Sequence, residues 1–151
     1  MTNILDSSES VPFREKVAWL SLLAMAVPYG PYFTWMVLHP PTAPLPDLPT
    51  MFLFGVTSIS HALILGLGRA WLRWRCPDDA RLPADERDQA ITLRALAVAY
   101  QVLILGTMLT GIVMPFQTGG WRLINAAIAA IVLAELVSNG VVVWSYRRSR
   151  S

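Results

Sequence analysis

The chain has 151 residues, of which 54% are apolar and 15% charged, with a formal net charge of +2. An ordinary soluble domain carries roughly 25% charged residues, and here the charges are clustered so that long apolar tracts run between them. The length allows one domain, and the composition excludes a freely soluble one: the sequence reads as all-α, a transmembrane four-helix bundle.

Residues 1–16 form a polar N-terminal segment carrying Asp6, Glu9, Arg14, Glu15 and Lys16. The first span, Val17–Leu38, reaches the roughly 20 residues that a bilayer core demands. It is too long for a signal-peptide core and ends in His39-Pro40-Pro41 without a small-residue cleavage site, so a retained helix is expected. Inside it, Val27-Pro28-Tyr29-Gly30-Pro31-Tyr32 removes two backbone donors and adds a glycine. A kink or break near mid-membrane is expected there. Two readings stand: a kinked span whose freed carbonyls are satisfied by neighbours, or a discontinuous helix lining a substrate site, with Tyr29 and Tyr32 facing inward.

The following loop, 39–50, holds five prolines and is expected to be an extended strap, either a stiff connector or a docking surface. The second span, Met51–Trp71, carries His61 near its middle. A hydrophilic connection over about 73–90 leads to the third span, Ala95–Met114, with Tyr100 and Gln101 close to its start. A tight turn at Pro115–Gly120 joins it to the fourth span, Leu123–Trp144, which carries Glu135 and Asn139. A basic tail, 147–151, closes the chain.

Lys and Arg collect in the N-terminal segment, the central connection and the tail, whereas the loop at 39–50 has none. Because cytoplasmic loops carry that excess, both ends of the chain and the central connection are expected in the cytoplasm. Trp19, Trp35, Trp71, Trp121 and Trp144 fall near span ends, with Trp74 just beyond one, where indole rings favour the interface. Cys76 has no second cysteine to pair with.

Ionisable groups inside a span are costly and are expected to face the bundle interior. At about 1.5 Å per residue, His61 lies roughly 15 Å and Glu135 roughly 20 Å below the outer ends of their spans. Tyr100 and Gln101, entering from the other side, come to a depth near that of Glu135 and Asn139. A cluster of Glu135, Tyr100, Gln101 and Asn139 is therefore expected, with His61 offset from it. Its roles are interhelical hydrogen bonding or a proton or ligand site. A satisfied packing residue is the simpler reading of His61. Small residues at helical spacing, Thr107 with Gly111 and Ala126 with Ala130 and Ala134, permit close helix approach.

The run Asp85-Glu86-Arg87-Asp88 before the third span has a plain origin. Pro83 precedes a helix, Asp85 is placed as its N-cap, and Glu86 and Asp88 sit in the first turn, where carboxylates suit the helix dipole. Together with Arg94 at the interface, these residues also offer a cytoplasmic docking surface. No Gly-rich phosphate loop, metal-ligand cluster, nucleophile elbow or CxxC occurs, so neither a cofactor nor a metal is expected.

The stretch DERDQAITLRALAVAYQVLIL, followed by AELVSNGVVVWSYRR and preceded by FREKVAW and YGPYF, resembles a group of small bacterial and archaeal integral membrane proteins with a DER motif before the third span. The resemblance implies a four-helix membrane fold in the inner membrane, with Asp85, Glu86, Arg87, Arg94, Glu135 and Tyr100 as the shared features. It carries no activity with it, since the group has none assigned. Gene neighbours of some relatives make a regulatory role conceivable.

Taken together, the sequence points to a non-enzymatic inner-membrane protein that binds a small ligand, a lipid or a protein partner in a regulatory or sensory role. The partners in view are the bilayer, a cytoplasmic regulatory protein and a second copy of the chain, with no direct contact to nucleic acid. The alternative is a small transporter or channel subunit using Glu135 and the proline-bearing first span, and an intramembrane enzyme comes third.

Overall fold

The structure, a computed structural model, describes residues 11–42, 45–83 and 85–148. Asp6, Glu9, Arg150 and the part of the proline strap at Ala43-Pro44 lie outside the described residues. Among those described there is no strand, and four long helices dominate: α1 (Phe13–Leu38), α2 (Leu48–Arg75), α4 (Glu86–Met108) and α5 (Trp121–Arg148), with a short α3 (Pro77–Arg81).

The helices outrun the apolar spans because their polar ends are good helix ends. Asp85 caps α4 by accepting the Asp88 N–H at 2.6 Å, and Glu86 and Asp88 occupy the first turn. Arg73 and Arg75 fill the last turn of α2, and Arg147 and Arg148 that of α5. The central connection is thus largely helical, with α3 started by Pro77 at its first position.

Three of the four long helical segments, Leu48–Arg75, Glu86–Phe116 and Trp121–Arg148, are long and apolar enough to cross a membrane. α1 has the length, 26 residues, but its apolar run is diluted by Pro28, Tyr29, Gly30, Pro31 and Tyr32. Large apolar side chains point outward, including Phe52 at 75% and Leu67 at 68% exposure. Apolar surface of this extent marks contact with a membrane or another protein, and on helices of this length it fits a bilayer. This is a multi-pass membrane protein.

The expected break in the first span is absent: α1 runs unbroken through Pro28 and Pro31. Pro28 has no N–H for the carbonyl four residues back, which is that of Ala24. His61 Nδ1 lies 2.9 Å from that oxygen. A carbonyl only accepts, so the ring is held as the Nδ1–H tautomer, donating across the α1–α2 interface. The orphaned group is answered from a neighbouring helix, and the helix continues.

After Met108, α4 passes into a π-helical turn at Leu109–Val113 and a 3-10 turn at Met114–Phe116. The sequence foresees a plain helix to Met114. Instead, the Thr110 hydroxyl donates to the Gly106 and Thr107 carbonyls at 2.9 and 3.3 Å, a local bond that competes with the regular backbone ladder. Gly120, at φ +60°, takes the left-handed conformation that starts α5.

α1 packs along α2 on one side and α5 on the other, and α5 packs along α4. No comparable interface joins α2 to α4 or α5 among the described residues. The spatial order is therefore α2–α1–α5–α4, an open row. At one end, residues of all four line a single cleft, so the row is curved. The α4–α5 contact is close: a Cβ built on Gly106 would sit 2.4 Å from that of Ala130. Ala134, one turn further along α5, is buried.

Candidate functional site

The cleft lies at the basic end of the helices and encloses about 360 Å³. α1 contributes Arg14 and Ser21, α4 Thr92, and α5 Asn139 and Tyr146. Arg69 and Arg73, four residues apart and hence on one face of α2, complete its polar lining. Phe13, Val17, Leu82 and Val142 make the remainder apolar.

One carboxylate organises this end. Asp88 accepts from Arg14 Nε at 3.0 Å through Oδ2 and from the Tyr146 hydroxyl through Oδ1. It thereby ties α1, α4 and α5 together. Ser21 donates to the Val17 carbonyl at 3.0 Å, Thr92 to that of Asp88 at 2.8 Å and Asn139 to that of Glu135 at 2.9 Å. Those donors are spent on their own helices. Arg69 and Arg73 have no carboxylate within ion-pair reach among the described residues. The cleft is consequently an electropositive cavity whose walls are part polar and part apolar, suited to an anion bearing a hydrocarbon portion.

Around it, the interface tryptophans and basic residues interlock. Arg147 lies 5.1 Å from the Trp19 ring and 3.9 Å from the buried Glu15 carboxylate. Arg94 and Arg148 lie 5.9 and 5.2 Å from the Trp144 ring, and Arg75 lies 5.2 Å from Trp71. Such stacking suits cations at the edge of an apolar phase. Lys16 Nζ reaches Cys76 Sγ at 3.9 Å.

The polar cluster expected inside the membrane is divided among different places. Tyr100 and Glu135 share a groove of about 540 Å³ between α4 and α5. Gln101 is exposed and does not line it, because neighbouring helical residues point about 100° apart. Asn139 belongs to the basic cleft, one turn from Glu135. His61 is engaged with Ala24 and lies 5.7 Å from the Tyr29 ring. Glu135 is also exposed, where a buried position was expected. The cause is the open row: no helix covers that side of α5.

In the proline-bearing stretch, Tyr32 is buried and donates to Asn125 Oδ1 at 2.5 Å, joining α1 to α5. Tyr29 stacks on Phe33 at 6.1 Å, and Gly30 and Pro31 are exposed. Of the docking candidates, Glu86 and Arg87 face outward with Asp85, while Asp88 turns inward to Arg14 and Tyr146. No group of three or more His, Cys, Asp or Glu among the described residues is placed to hold a metal ion.

The sequence reading used Arg14, Arg69 and Arg73 only as markers of orientation, and Tyr146 only as part of a terminal motif. The four-residue spacing of Arg69 and Arg73 in the last turns of a span was the legible signal, since it puts two guanidinium groups on one helix face. That Arg14 and Tyr146 meet them depends on helix order, which spacing along the chain does not encode. Compared with known proteins, the chain matches no family model, no curated protein and no solved structure.

Proposed function

We propose that the protein is a non-enzymatic inner-membrane sensor with four transmembrane helices and both ends of the chain in the cytoplasm, which binds an anionic amphiphile in the basic cleft. The reading rests on one observation: Arg69 and Arg73, without carboxylate partners among the described residues, share with Arg14 a cavity whose other walls are part polar and part apolar. The bias of Lys and Arg toward this end supports the orientation, and the resemblance to small membrane proteins with a DER motif agrees with it.

A regulatory output follows from Asp88. An anion in the cleft competes with Asp88 for Arg14, and losing that bond loosens the first turn of α4. Asp85, Glu86 and Arg87 lie on that turn, where a cytoplasmic partner would read the change.

The test is thermal unfolding of the purified protein in neutral detergent, with a single-chain phosphate amphiphile as probe and its zwitterionic choline ester as control. At a hundredfold excess over Kd, binding stabilises by about 2.7 kcal/mol. The expected result is a rise in midpoint with the anionic probe only, abolished in Arg69→Gln/Arg73→Gln. Equal shifts with both probes, or a shift that survives the double substitution, would sink the proposal.

The transporter reading keeps one specific support. Glu135, Asn139, Val142 and Tyr146 fall at helical spacing on one stripe of α5, and the last three line the cleft. Proteoliposome flux in the wild type and Glu135→Gln separates the readings: a Glu135-dependent flux favours transport.

A further inference from the structure

Glu135 and Tyr100 present an unresolved cost inside the spans. Glu135 is 14 residues from the start of α5 and 13 from its end, so it sits at mid-membrane depth. Neither its carboxyl nor the Tyr100 hydroxyl has a partner among the described residues, and Tyr100 is 61% exposed. The groove that holds both is otherwise lined by Leu93, Leu96, Ala97 and Leu103, with Ser138 adding one more hydroxyl. An ionisable group at this depth is sustained by a partner or a water-filled cavity, not by lipid.

We infer that the α4–α5 face is a homodimer interface in which Glu135 of each copy accepts the Tyr100 hydroxyl of the other. The occupant is a second copy because the face is self-complementary: it carries an acceptor and a donor side by side in one groove. A two-fold axis through the groove satisfies both pairs with a single operation, as isologous interfaces require. Ala97 and Ala134 leave room for a facing helix to approach closely. The basic cleft needs no second copy to be complete, so the inference stands apart from the ligand proposed for it.

The test uses the full chain, singly labelled and reconstituted at low density in neutral-lipid vesicles, with subunit number read by stepwise photobleaching. Dimers are expected. Tyr100→Phe and Glu135→Leu should each weaken association about tenfold or more, since two symmetric bonds are lost, whereas Glu135→Gln, which keeps an acceptor, should stay within a few-fold of wild type. Glu135→Leu replaces an ionisable side chain with an apolar one, so poor insertion does not confound it. In a Cys76→Ser background, Ala97→Cys should crosslink on oxidation and Leu63→Cys, on α2, should not. Monomers at every density, dimers indifferent to both Tyr100→Phe and Glu135→Leu, or crosslinks that run through position 63 instead of 97 would each overturn it.

Discussion

The α1–α2 interface and the outer face of α4–α5 both carry polar side chains within the spans, but only the first is settled within the chain. At α1–α2, the half-buried His61 answers the Ala24 carbonyl that Pro28 orphans, and the buried Thr57 donates to its own helix at Leu53, 2.8 Å away. On α4–α5, Glu135 and Tyr100 stand open. The half-buried His61 in the first region repairs a local backbone defect, so its partner lies in the same chain. The second region has no such defect to repair, and its polar groups point to something outside the monomer.

The largest effect that separates the regions is one of sign. Removing polarity from α4–α5 should ease the entry of a single chain into the membrane at no cost to its fold, whereas removing it from α1–α2 should destabilise the folded chain. In a translocon insertion assay on the isolated span Trp121–Arg148, Glu135→Leu should favour insertion by about 2–3 kcal/mol. An unchanged insertion energy would mean that Glu135 already escapes the hydrocarbon without help, and the contrast between the regions would collapse.

A smaller effect sharpens the α1–α2 half. His61→Leu should destabilise the folded protein by about 1–2 kcal/mol, because it strips the Ala24 carbonyl of its donor. In a Pro28→Ala background the residue-28 N–H reclaims that carbonyl, so the same substitution should cost roughly 1 kcal/mol less. A double-mutant cycle by steric trapping in bicelles measures the coupling. Additive costs would show that His61 stabilises by packing on Tyr29 and not by repairing the helix.

How much of this was legible in the sequence follows the same division. The existence of the long helices came through because it depends on local composition, whereas their ends run past the apolar spans; the Asp85 cap came through because its partner, Asp88, is three residues away. The reading of His61 as a satisfied residue agrees with the bond it makes, though not the identity of its acceptor, which lies 37 residues earlier. Glu135 was given an interior position on the general rule that spans hide their charges. That rule presumes a closed bundle, and the order α2–α1–α5–α4 leaves the face open. The basic cleft was missed for the converse reason: its arginines looked like topology markers until four helices brought them together.

The finest distinction concerns Tyr32 and Tyr100, two tyrosines in spans that both face polar atoms. Tyr32 is buried and bonded to Asn125, between α1 and α5, so its hydroxyl acts within one chain. Tyr32→Phe should therefore cost about 0.6 kcal/mol of monomer stability, the usual yield of an interhelical bond in a membrane. Asn125→Ala should cost a similar amount, and the pair together less than the sum. Tyr100→Phe, measured the same way under dilute conditions where copies are apart, should cost nothing, because no intrachain bond is lost. A loss of monomer stability at Tyr100 equal to that at Tyr32 would place its partner inside the chain and erase the difference between the two faces.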